Sequence, residues 1–402
     1  MDFLVPVIIS VASFSVLLPL IVFVHEYGHF KTARLCGVKV DTFSIGFGPT
    51  LTQWIDRRGT AWKIAAVPLG GYVKFFGDAN AASAGADAGE EKQSGTQFKS
   101  EKAKLESLLT PEEKRVCFHF KPVWQRMLIV AAGPFANFIL AVVIFAALYS
   151  TIGERYLQPV IQEVVADSPA AEAGMMPRDR IVRIENHRVK SFNDVQMRVR
   201  LSAESPLDIV VERNGATVPL VLTPERTEMT DGFGNTVSAG RAGISFSADD
   251  PVFIRYNPIT ATWRGVQQVG SVLDTTVVYL GRLVTGREDP RQLGGPVKIA
   301  QYAGQAVSSG FDAEVEAPLT ARVLTSLTNF IQLAALMSVS IGFLNLLPVP
   351  VLDGGHLVYY GYEAVAGRPL SDRVQGIGFR IGLALVGSLM IFVVVNDVVQ
   401  LF

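Results

Sequence analysis

Four long uncharged runs dominate the pattern of hydrophobic and polar positions along the chain. A helix needs about 20 apolar residues to cross the hydrocarbon core of a bilayer. Each of the first three runs reaches this length by itself, and the fourth is slightly shorter. The pattern therefore predicts an α-helical polytopic membrane protein with four transmembrane helices. The uncharged runs are residues 3–24, 127–153, 323–352 and 381–396.

The segments between the runs differ from one another in pattern. Residues 37–78 contain short β-type runs divided by glycines, prolines and the turn signal Asp56-Arg57-Arg58-Gly59, which predicts a β-hairpin. Its second half, 67–76, is apolar but too short to span, so a membrane-associated, re-entrant hairpin fits it. An ordinary cytoplasmic hairpin is the alternative.

The remaining segments complete the predicted domain organisation. Alternating polar and apolar positions after the second run predict a strand-rich soluble module. A turn at 293–297 precedes a further helix, which we expect at the membrane surface. The predicted divisions are 1–36 (first span), 37–78 (hairpin region), 79–126 (flexible cytoplasmic loop and interfacial segment), 127–153 (second span), 154–249 (soluble module), 250–322 (amphipathic or linker segment), 323–356 (third span) and 357–402 (cytoplasmic turn and fourth span).

Composition and charge add the orientation. The chain of 402 residues is 49% hydrophobic and has a net charge of −1, which offers no general attraction for nucleic acid. Residues 31–126 hold 15 Lys and Arg, so we expect that segment in the cytoplasm, the N-terminus outside and the soluble module on the extracytoplasmic face. Only two cysteines are present, which makes a disulfide framework improbable.

The first apolar run leads directly into His25-Glu26-Tyr27-Gly28-His29, an HExxH motif. Two histidines four residues apart share one face of a helix, so both imidazoles can bind one metal ion. Glu26 is the candidate general base, which takes a proton from metal-bound water. Ionisable groups at membrane depth are costly and usually functional. The motif therefore predicts a zinc hydrolase whose chemistry occurs within the membrane.

A third metal ligand is predicted where the third run ends. Pro348 and Pro350 cannot continue a helix, so the span should unwind and place Asp353 on irregular backbone at the level of the two histidines. A carboxylate offsets part of the ion's charge in a low-dielectric site, which favours Asp353. His356 is the alternative ligand, and a simple turn cap is the alternative role for Asp353.

Two further places are candidates for binding substrate. Gly133 and Asn137 share a face of the second span, where a small residue allows close helix approach. The Asn137 amide could steady a substrate carbonyl or bond to a neighbouring helix. In the hairpin, Gly70, Gly71 and Tyr72 are the candidates for holding an opened substrate segment as an added strand.

Residues 168–184, SPAAEAGMMPRDRIVRI, are similar to the core signature of a PDZ domain, with Arg178 where that family usually has glycine. The resemblance implies one α+β PDZ domain, with residues 194–201 as the helix that lines a groove for a peptide or C-terminus. A structural spacer is the alternative.

The combination of HEYGH, GPFAN, a PDZ-like module and NLLPVPVLDGG resembles the site-2 protease family, and most closely the bacterial regulator-of-sigma-E protease group. The resemblance implies zinc held by His25, His29 and Asp353, with Glu26 as base. It also implies that Asn345 and Asn137 bind the substrate or the developing oxyanion. Many relatives carry a second asparagine at the position of Ser340.

Members of that family cut single-pass membrane proteins within or near their spans, typically after a first protease has acted, and anti-sigma factors are the usual targets. The resemblance implies a bacterial inner-membrane enzyme with its active site near the cytoplasmic side and the PDZ domain in the periplasm. A non-catalytic PDZ-bearing scaffold with a vestigial metal site is the alternative function. A soluble zincin with an anchor would need a further ligand in a soluble domain, and none is evident.

Overall fold

The computed structural model describes residues 4–77, 106, 108–189, 191–230, 236–246, 252–286, 290–311 and 318–400. Residues 79–105 and 107 of the predicted flexible loop, and residue 78 of the predicted hairpin region, lie outside the described residues. The chain divides into two compact units. The first comprises Met1–Phe145, Gly265–Val278 and Asp289–Phe402, and the second comprises Ala146–Arg264 and Tyr279–Glu288.

The four predicted spans are present as long apolar helices. In this description the helices are α1 (Leu4–Leu35), α2 (Pro111–Val116), α3 (Val123–Thr151), α4 (Pro169–Glu172), α5 (Phe192–Leu201), α6 (Pro258–Val284), α7 (Pro296–Ser308), α8 (Leu319–Asn345), α9 (Asp353–Ala366) and α10 (Asp372–Val399). The spans are α1, α3, α8 and α10.

Small residues let α1 and α3 approach closely. A Cβ placed on Gly28 would collide with the carbonyl of Ala132, and a Cβ on Gly133 would collide with the His29 ring. Without side chains at these two points the helix backbones come close enough for α3 to contact the histidines of α1. The predicted role of Gly133 in close helix approach is therefore confirmed.

The predicted hairpin is formed by β1 (Val40–Ile55) and β2 (Ala61–Phe75), which pair antiparallel on either side of the Asp56–Thr60 turn. Both strands bend back on themselves. Phe43 in β1 therefore pairs with Val73 on one side and with Trp62 on the other, and both partners belong to β2. The two strands thus form a sheet of four segments in the order 50–55, 61–65, 42–45 and 71–75. In the described part of the chain, segment 71–75 is one edge of this sheet.

The turn of the hairpin is tied to the end of α1. Arg34 donates hydrogen bonds to the Asp56 carboxylate at 2.5 Å and to Thr60 Oγ1 at 2.8 Å, and Trp62 Nε1 also donates to Asp56. Burial alone would raise the pKa of Asp56, but the hydrogen bonds from Arg34 and from backbone N–H groups of the turn outweigh it. The pKa of Asp56 is lowered to about 2. The hairpin is therefore fixed to the helix that carries the HExxH motif.

The third span ends earlier than the predicted boundary of 356, and the prediction for Asp353 needs a correction. Helix α8 stops at Asn345, residues 346–352 break it, and Asp353 is the first residue of the new helix α9. The two prolines end the span as expected. The carboxylate lies on a helix terminus, however, and not on irregular backbone.

Helix α7 also differs from its predicted place at the membrane surface. It packs against α1, and Ala303 and Ala306 join Leu17 and Ile21 in one buried cluster. Leu17 and Ile21 lie in the middle of the apolar run 3–24, so α7 lies at the depth of the span. Its small residues permit this approach, and the helical periodicity of the sequence does not show which element packs on its apolar face.

The second unit contains the strand-rich module predicted for 154–249. Its strands are β3 (Glu154–Tyr156), β4 (Ile161–Val164), β5 (Arg180–Ile184), β6 (His187–Arg188), β7 (Leu207–Arg213), β8 (Ala216–Leu222), β9 (Glu225–Thr230), β10 (Thr236–Arg241), β11 (Ile244–Phe246) and β12 (Val252–Ile254). Four of them form a sheet in the order β6-β5-β7-β8, and the others pair as β10-β9, β11-β4 and β12-β3.

The PDZ-like signature has the predicted local structure of turn, short helix and strand. Ser168 caps α4, and β5 follows the turn after it. Arg178, which replaces the usual glycine, has a φ of 72°, a left-handed conformation that glycine adopts at less cost. The predicted helix 194–201 is found as α5, which begins two residues earlier. The PDZ assignment itself stays a prediction.

Candidate metal centre

The HExxH motif lies in an uninterrupted stretch of α1. His25, Glu26 and His29 are all buried in this helix. One helical turn separates the two histidines, so their rings project from one face, with ring centroids 4.9 Å apart. The apolar sequence before the motif forms the helix, and the motif occupies its last third.

The break after α8 brings Asp353 to the two histidines. Its Oδ2 lies 3.1 Å from His25 Nε2 and 3.4 Å from His29 Nε2, and the two Nε2 atoms are 3.2 Å apart. Ligands at 2.0–2.1 Å from a tetrahedral zinc ion are separated by about 3.3–3.4 Å. The three atoms therefore have the spacing of three corners of a zinc coordination tetrahedron.

The Asp353 carboxylate gives an independent test of this fit. Its Oδ2 is buried and accepts no hydrogen bond from the described residues. Its neighbours are Nε2 atoms, which carry lone pairs when the imidazoles are ligands. Three electron-pair donors facing one point would repel one another without a cation between them. The donor set thus fits a divalent metal that accepts nitrogen and oxygen ligands, as zinc does.

The structure distinguishes between the two candidates for the third ligand. Of the described residues, His25, His29 and Asp353 form the group with converging donor atoms. His356 lies in α9 one turn after Asp353, with its ring 6.3 Å from that of Tyr359, and it is not part of this group. Asp353 is therefore the candidate third ligand.

Helix α3 supplies contacts to the far side of both imidazoles. The Nδ1 of His29 lies 2.9 Å from the carbonyl oxygen of Ile129, and the Nδ1 of His25 lies 3.4 Å from the Asn137 side chain. A hydrogen bond from Nδ1–H to a carbonyl leaves Nε2 unprotonated and aimed at the metal. The contact to Ile129 has this form, so α3 orients at least His29.

The predicted hairpin residues lie beside the catalytic helix. A Cβ on Gly71 would be 3.0 Å from Val22 Cγ1 and 3.2 Å from Glu26 Cγ. Gly70 has a φ of 139°, and a Cβ there would collide with the Phe47 ring, which stacks on Tyr72 at 6.3 Å. Segment 71–75 therefore passes next to the candidate base.

The remaining candidates are placed by α3 and α8. Asn137 is completely buried, whereas Asn345 is the half-buried last residue of α8. Ser340 donates to the carbonyl of Leu336 in its own helix. Sequence reasoning missed Ile129, because a main-chain acceptor has no residue-type signature.

Comparison with known proteins agrees with this geometry. The model of peptidase family M50 matches residues 13–389. Proteins named "Putative zinc metalloprotease" in Agrobacterium fabrum and Mesorhizobium japonicum are 44% and 43% identical over 97% and 96% of this chain and over 96% and 98% of their own lengths. The metalloprotease MmpA of Caulobacter vibrioides is 42% identical over 97% of this chain and 95% of its own.

The family match spans nearly the whole chain, and the relatives are similar over almost their full lengths. The recognition drawn from the sequence motifs and the assignment of zinc as the cofactor are both confirmed. The chain therefore belongs to peptidase family M50, the site-2 protease family of zinc metalloproteases.

Proposed function

We propose that this protein is an intramembrane endopeptidase that cleaves single-pass membrane proteins within or near their transmembrane segments. In this role it acts in regulated intramembrane proteolysis, and anti-sigma-factor-type proteins are the substrate class that the motifs suggest. The observation that carries the proposal is the convergence of His25, His29 and Asp353 next to Glu26 at the end of an apolar spanning helix.

The roles of the residues follow from their positions. A bound zinc ion supplies a Lewis acid and lowers the pKa of a coordinated water towards 7. His25, His29 and Asp353 would hold it and leave one tetrahedral position open. Glu26 follows His25 directly and lies three residues before His29 in α1. It is placed to accept the proton of the attacking water and to pass it to the leaving amide nitrogen. Asn345, at the end of α8, is our candidate donor to the oxyanion.

A membrane-spanning substrate must be unwound before it is cut, because its helix encloses every peptide bond. Segment 71–75, an edge of the sheet in the described part of the chain, can hydrogen-bond an extended segment as an added strand. The contact of Gly71 with Glu26 would bring such a strand to the base. Gly70, Gly71 and Tyr72 are thus proposed substrate contacts.

The strand-rich module would act outside the catalytic centre. We infer that it is a PDZ domain in the periplasm that binds a peptide or C-terminus in a groove lined by α5, and that the catalytic centre lies near the cytoplasmic side of the inner membrane. The excess of Lys and Arg in 31–126 supports this orientation. The partners are then the substrate, the module's peptide and the bilayer, with no nucleic acid.

A trapping experiment tests the proposal. Glu26→Gln removes the base while leaving both imidazoles and Asp353, so the variant should keep about one zinc ion per chain and lose cleavage by a factor of at least about 10³. Expressed in cells, it should accumulate membrane-embedded stubs, which mass spectrometry of the purified variant identifies.

The controls separate catalysis from binding. Wild-type protein prepared alongside should contain zinc and release the same stubs as fragments. Unchanged turnover by Glu26→Gln would remove the general-base assignment. A wild-type preparation that binds no zinc would instead favour a non-catalytic scaffold.

A further inference from the structure

Asn137 is the completely buried polar side chain that lies closest to His25 on α3. Its amide nitrogen Nδ2 is 3.4 Å from His25 Nδ1, and its oxygen Oδ1 is buried without a hydrogen-bond partner among the described residues. The oxygen and nitrogen of an amide have nearly the same shape, so their assignment rests on the hydrogen bonds they make. In this orientation the amide oxygen has no hydrogen-bond donor among the described residues, and the amide nitrogen, itself a donor, faces His25 Nδ1.

The chemistry of a metal-binding histidine decides between the two orientations. For His25 to bind zinc through Nε2, that nitrogen must carry a lone pair, so Nδ1 must carry the proton. An N–H at Nδ1 needs an acceptor, and the amide nitrogen of Asn137 cannot accept. Exchanging the two amide atoms places Oδ1 at Nδ1–H and leaves the packing unchanged.

The geometry points to Asn137 as a positioning residue, whose side-chain oxygen accepts the Nδ1–H of His25 and holds its Nε2 towards the metal. The inference rests on the proposed zinc-binding function of His25. Asn137 would accept the Nδ1–H of His25, as the Ile129 carbonyl accepts the Nδ1–H of His29. One helix, α3, then orients both histidine ligands.

Helix α8 holds Asn137 in place from the other side. Ser338, which is fully buried, donates its Oγ–H to the main-chain carbonyl of Asn137 at 2.9 Å. A Cβ on Gly342 would lie 3.3 Å from Asn137 Cβ and 3.0 Å from the Pro134 carbonyl. The absence of a side chain at Gly342 lets α8 press against the residue. These contacts fix the backbone and Cβ of Asn137, from which its buried amide projects towards His25, as a positioning residue requires.

This role differs from the oxyanion or substrate contact that the family resemblance implies for Asn137. The Asn137 amide contacts Nδ1, whereas the open coordination position lies on the Nε2 side of the ring. An acceptor on the Nδ1 edge acts on zinc through the imidazole. It therefore changes zinc affinity, while an oxyanion contact would change the rate alone.

Zinc affinity of the full-length protein in detergent tests the inference, measured by competition with a chromogenic chelator in the Glu26→Gln background. Asn137→Leu removes the acceptor at similar volume and should weaken zinc binding about 10–100-fold. Asn137→Asp keeps an oxygen at the same place. Its zinc affinity should not fall below that of the parent by more than about threefold.

Asn329→Leu is the matched control. Asn329 lies in the same span as Ser338 and donates to Ser309 Oγ. It is 16 residues, or about 24 Å along the helix, before Asn345, the end of α8 from which the chain leads to Asp353. This substitution makes the same chemical change and should leave zinc affinity unaltered.

Three results would overturn the inference. Asn137→Leu could bind zinc as the parent does and, with Glu26 restored, show a reduced kcat, which would assign Asn137 to the substrate. Asn137→Asp could lose zinc as severely as Asn137→Leu, which would show that the amide nitrogen matters. Asn329→Leu could lose zinc equally, which would show a general effect of removing polar groups. None of these affects the proposed function, because that function is tested by zinc and turnover in the wild type.

Discussion

Each of the two units contains a carboxylate with a solvent-shielded oxygen, Asp179 in one and Asp353 in the other, and the surroundings of these two carboxylates differ. Asp179, in the strand-rich module, is 1% exposed. It accepts hydrogen bonds from Arg213 Nε and Nη2, both at 2.7 Å, and from the Met176 amide at 2.9 Å. A charge that leaves water is tolerated when it is paired and fully hydrogen-bonded. Asp179 therefore serves the fold.

Asp353, in the membrane-spanning unit, has no such partners. Its Oδ2 accepts no hydrogen bond from the described residues and faces two imidazole nitrogens. The fold could have supplied an arginine here, as it does for Asp179, but that would have occupied the place of the ion. At these two sites, the carboxylate oxygen without hydrogen-bond donors belongs to the candidate metal centre, whereas the carboxylate with a complete set of donors stabilises the fold.

The largest effect is expected at the metal centre. Asp353→Ala removes one of three ligands and should weaken zinc binding by at least about a hundredfold and abolish cleavage. The fold should persist, because no hydrogen bond of the described chain ends on Oδ2. Zinc content after dialysis and circular dichroism of the same sample measure the two properties.

His356→Ala is the control for this prediction. Because His356 lies outside the group of converging donors, its removal should leave zinc affinity within a few-fold of the wild type. Loss of zinc from His356→Ala together with retention by Asp353→Ala would reverse the comparison and make the histidine the third ligand.

A smaller and different effect is expected in the module. Asp179→Ala removes the acceptor of Arg213 Nε and of the Met176 amide, and Arg213 Nη2 keeps the Gly174 carbonyl as its acceptor. The lost pair should cost roughly 3 kcal/mol of local stability. Hydrogen exchange followed by mass spectrometry should show faster exchange in β5 and β7, by about a hundredfold, with zinc content unchanged.

Glu204→Ala provides the contrast within the same unit. Glu204 forms an exposed ion pair with Arg226, and such pairs contribute little. Its removal should alter exchange in β5 and β7 by less than about threefold. If Asp179→Ala were equally silent, complete hydrogen bonding would not be what makes the buried carboxylate structural.

The sequence predicted the parts of this protein that local patterns specify. Apolar run length predicted the spans, the HExxH spacing predicted the paired histidines, and the two prolines after α8 predicted the break before Asp353. Each of these signals depends on a few neighbouring residues and on the helix period. The candidate ligands that they predict, His25, His29 and Asp353, converge in the structure.

Tertiary partners were not predictable in this way. The start of α9 at Asp353, the packing of α7 on α1, and the contacts of Ile129 and Ser338 all depend on which elements become neighbours. A main-chain carbonyl such as that of Ile129 carries no sequence signal at all. The spacing of Ala303 and Ala306 places both on one face of α7, but it does not show which element packs on that face.

The smallest expected effect is the response of the module to acid. Burial alone would raise the pKa of Asp179, but the hydrogen bonds and charge of Arg213 and the Met176 amide outweigh it and hold the pKa below its usual value. The usual value for an unfolded chain is about 3.9. The unfolded state therefore binds a proton at higher pH than the folded state does. The stability that Asp179 contributes is complete well above pH 3.9 and declines as the pH falls through and below that value.

Protection factors for β5 and β7, corrected for the intrinsic pH dependence of exchange, should thus be level from pH 7 to about 5 and fall below about 4. Asp179→Asn, which cannot titrate, should start from lower protection and show a shallower fall. Parallel acid profiles for the wild type and Asp179→Asn would mean that other carboxylates dominate the acid response. The Asp179–Arg213 pair would then stabilise the module through its hydrogen-bond geometry, and the negative charge of Asp179 would contribute no pH-dependent stability.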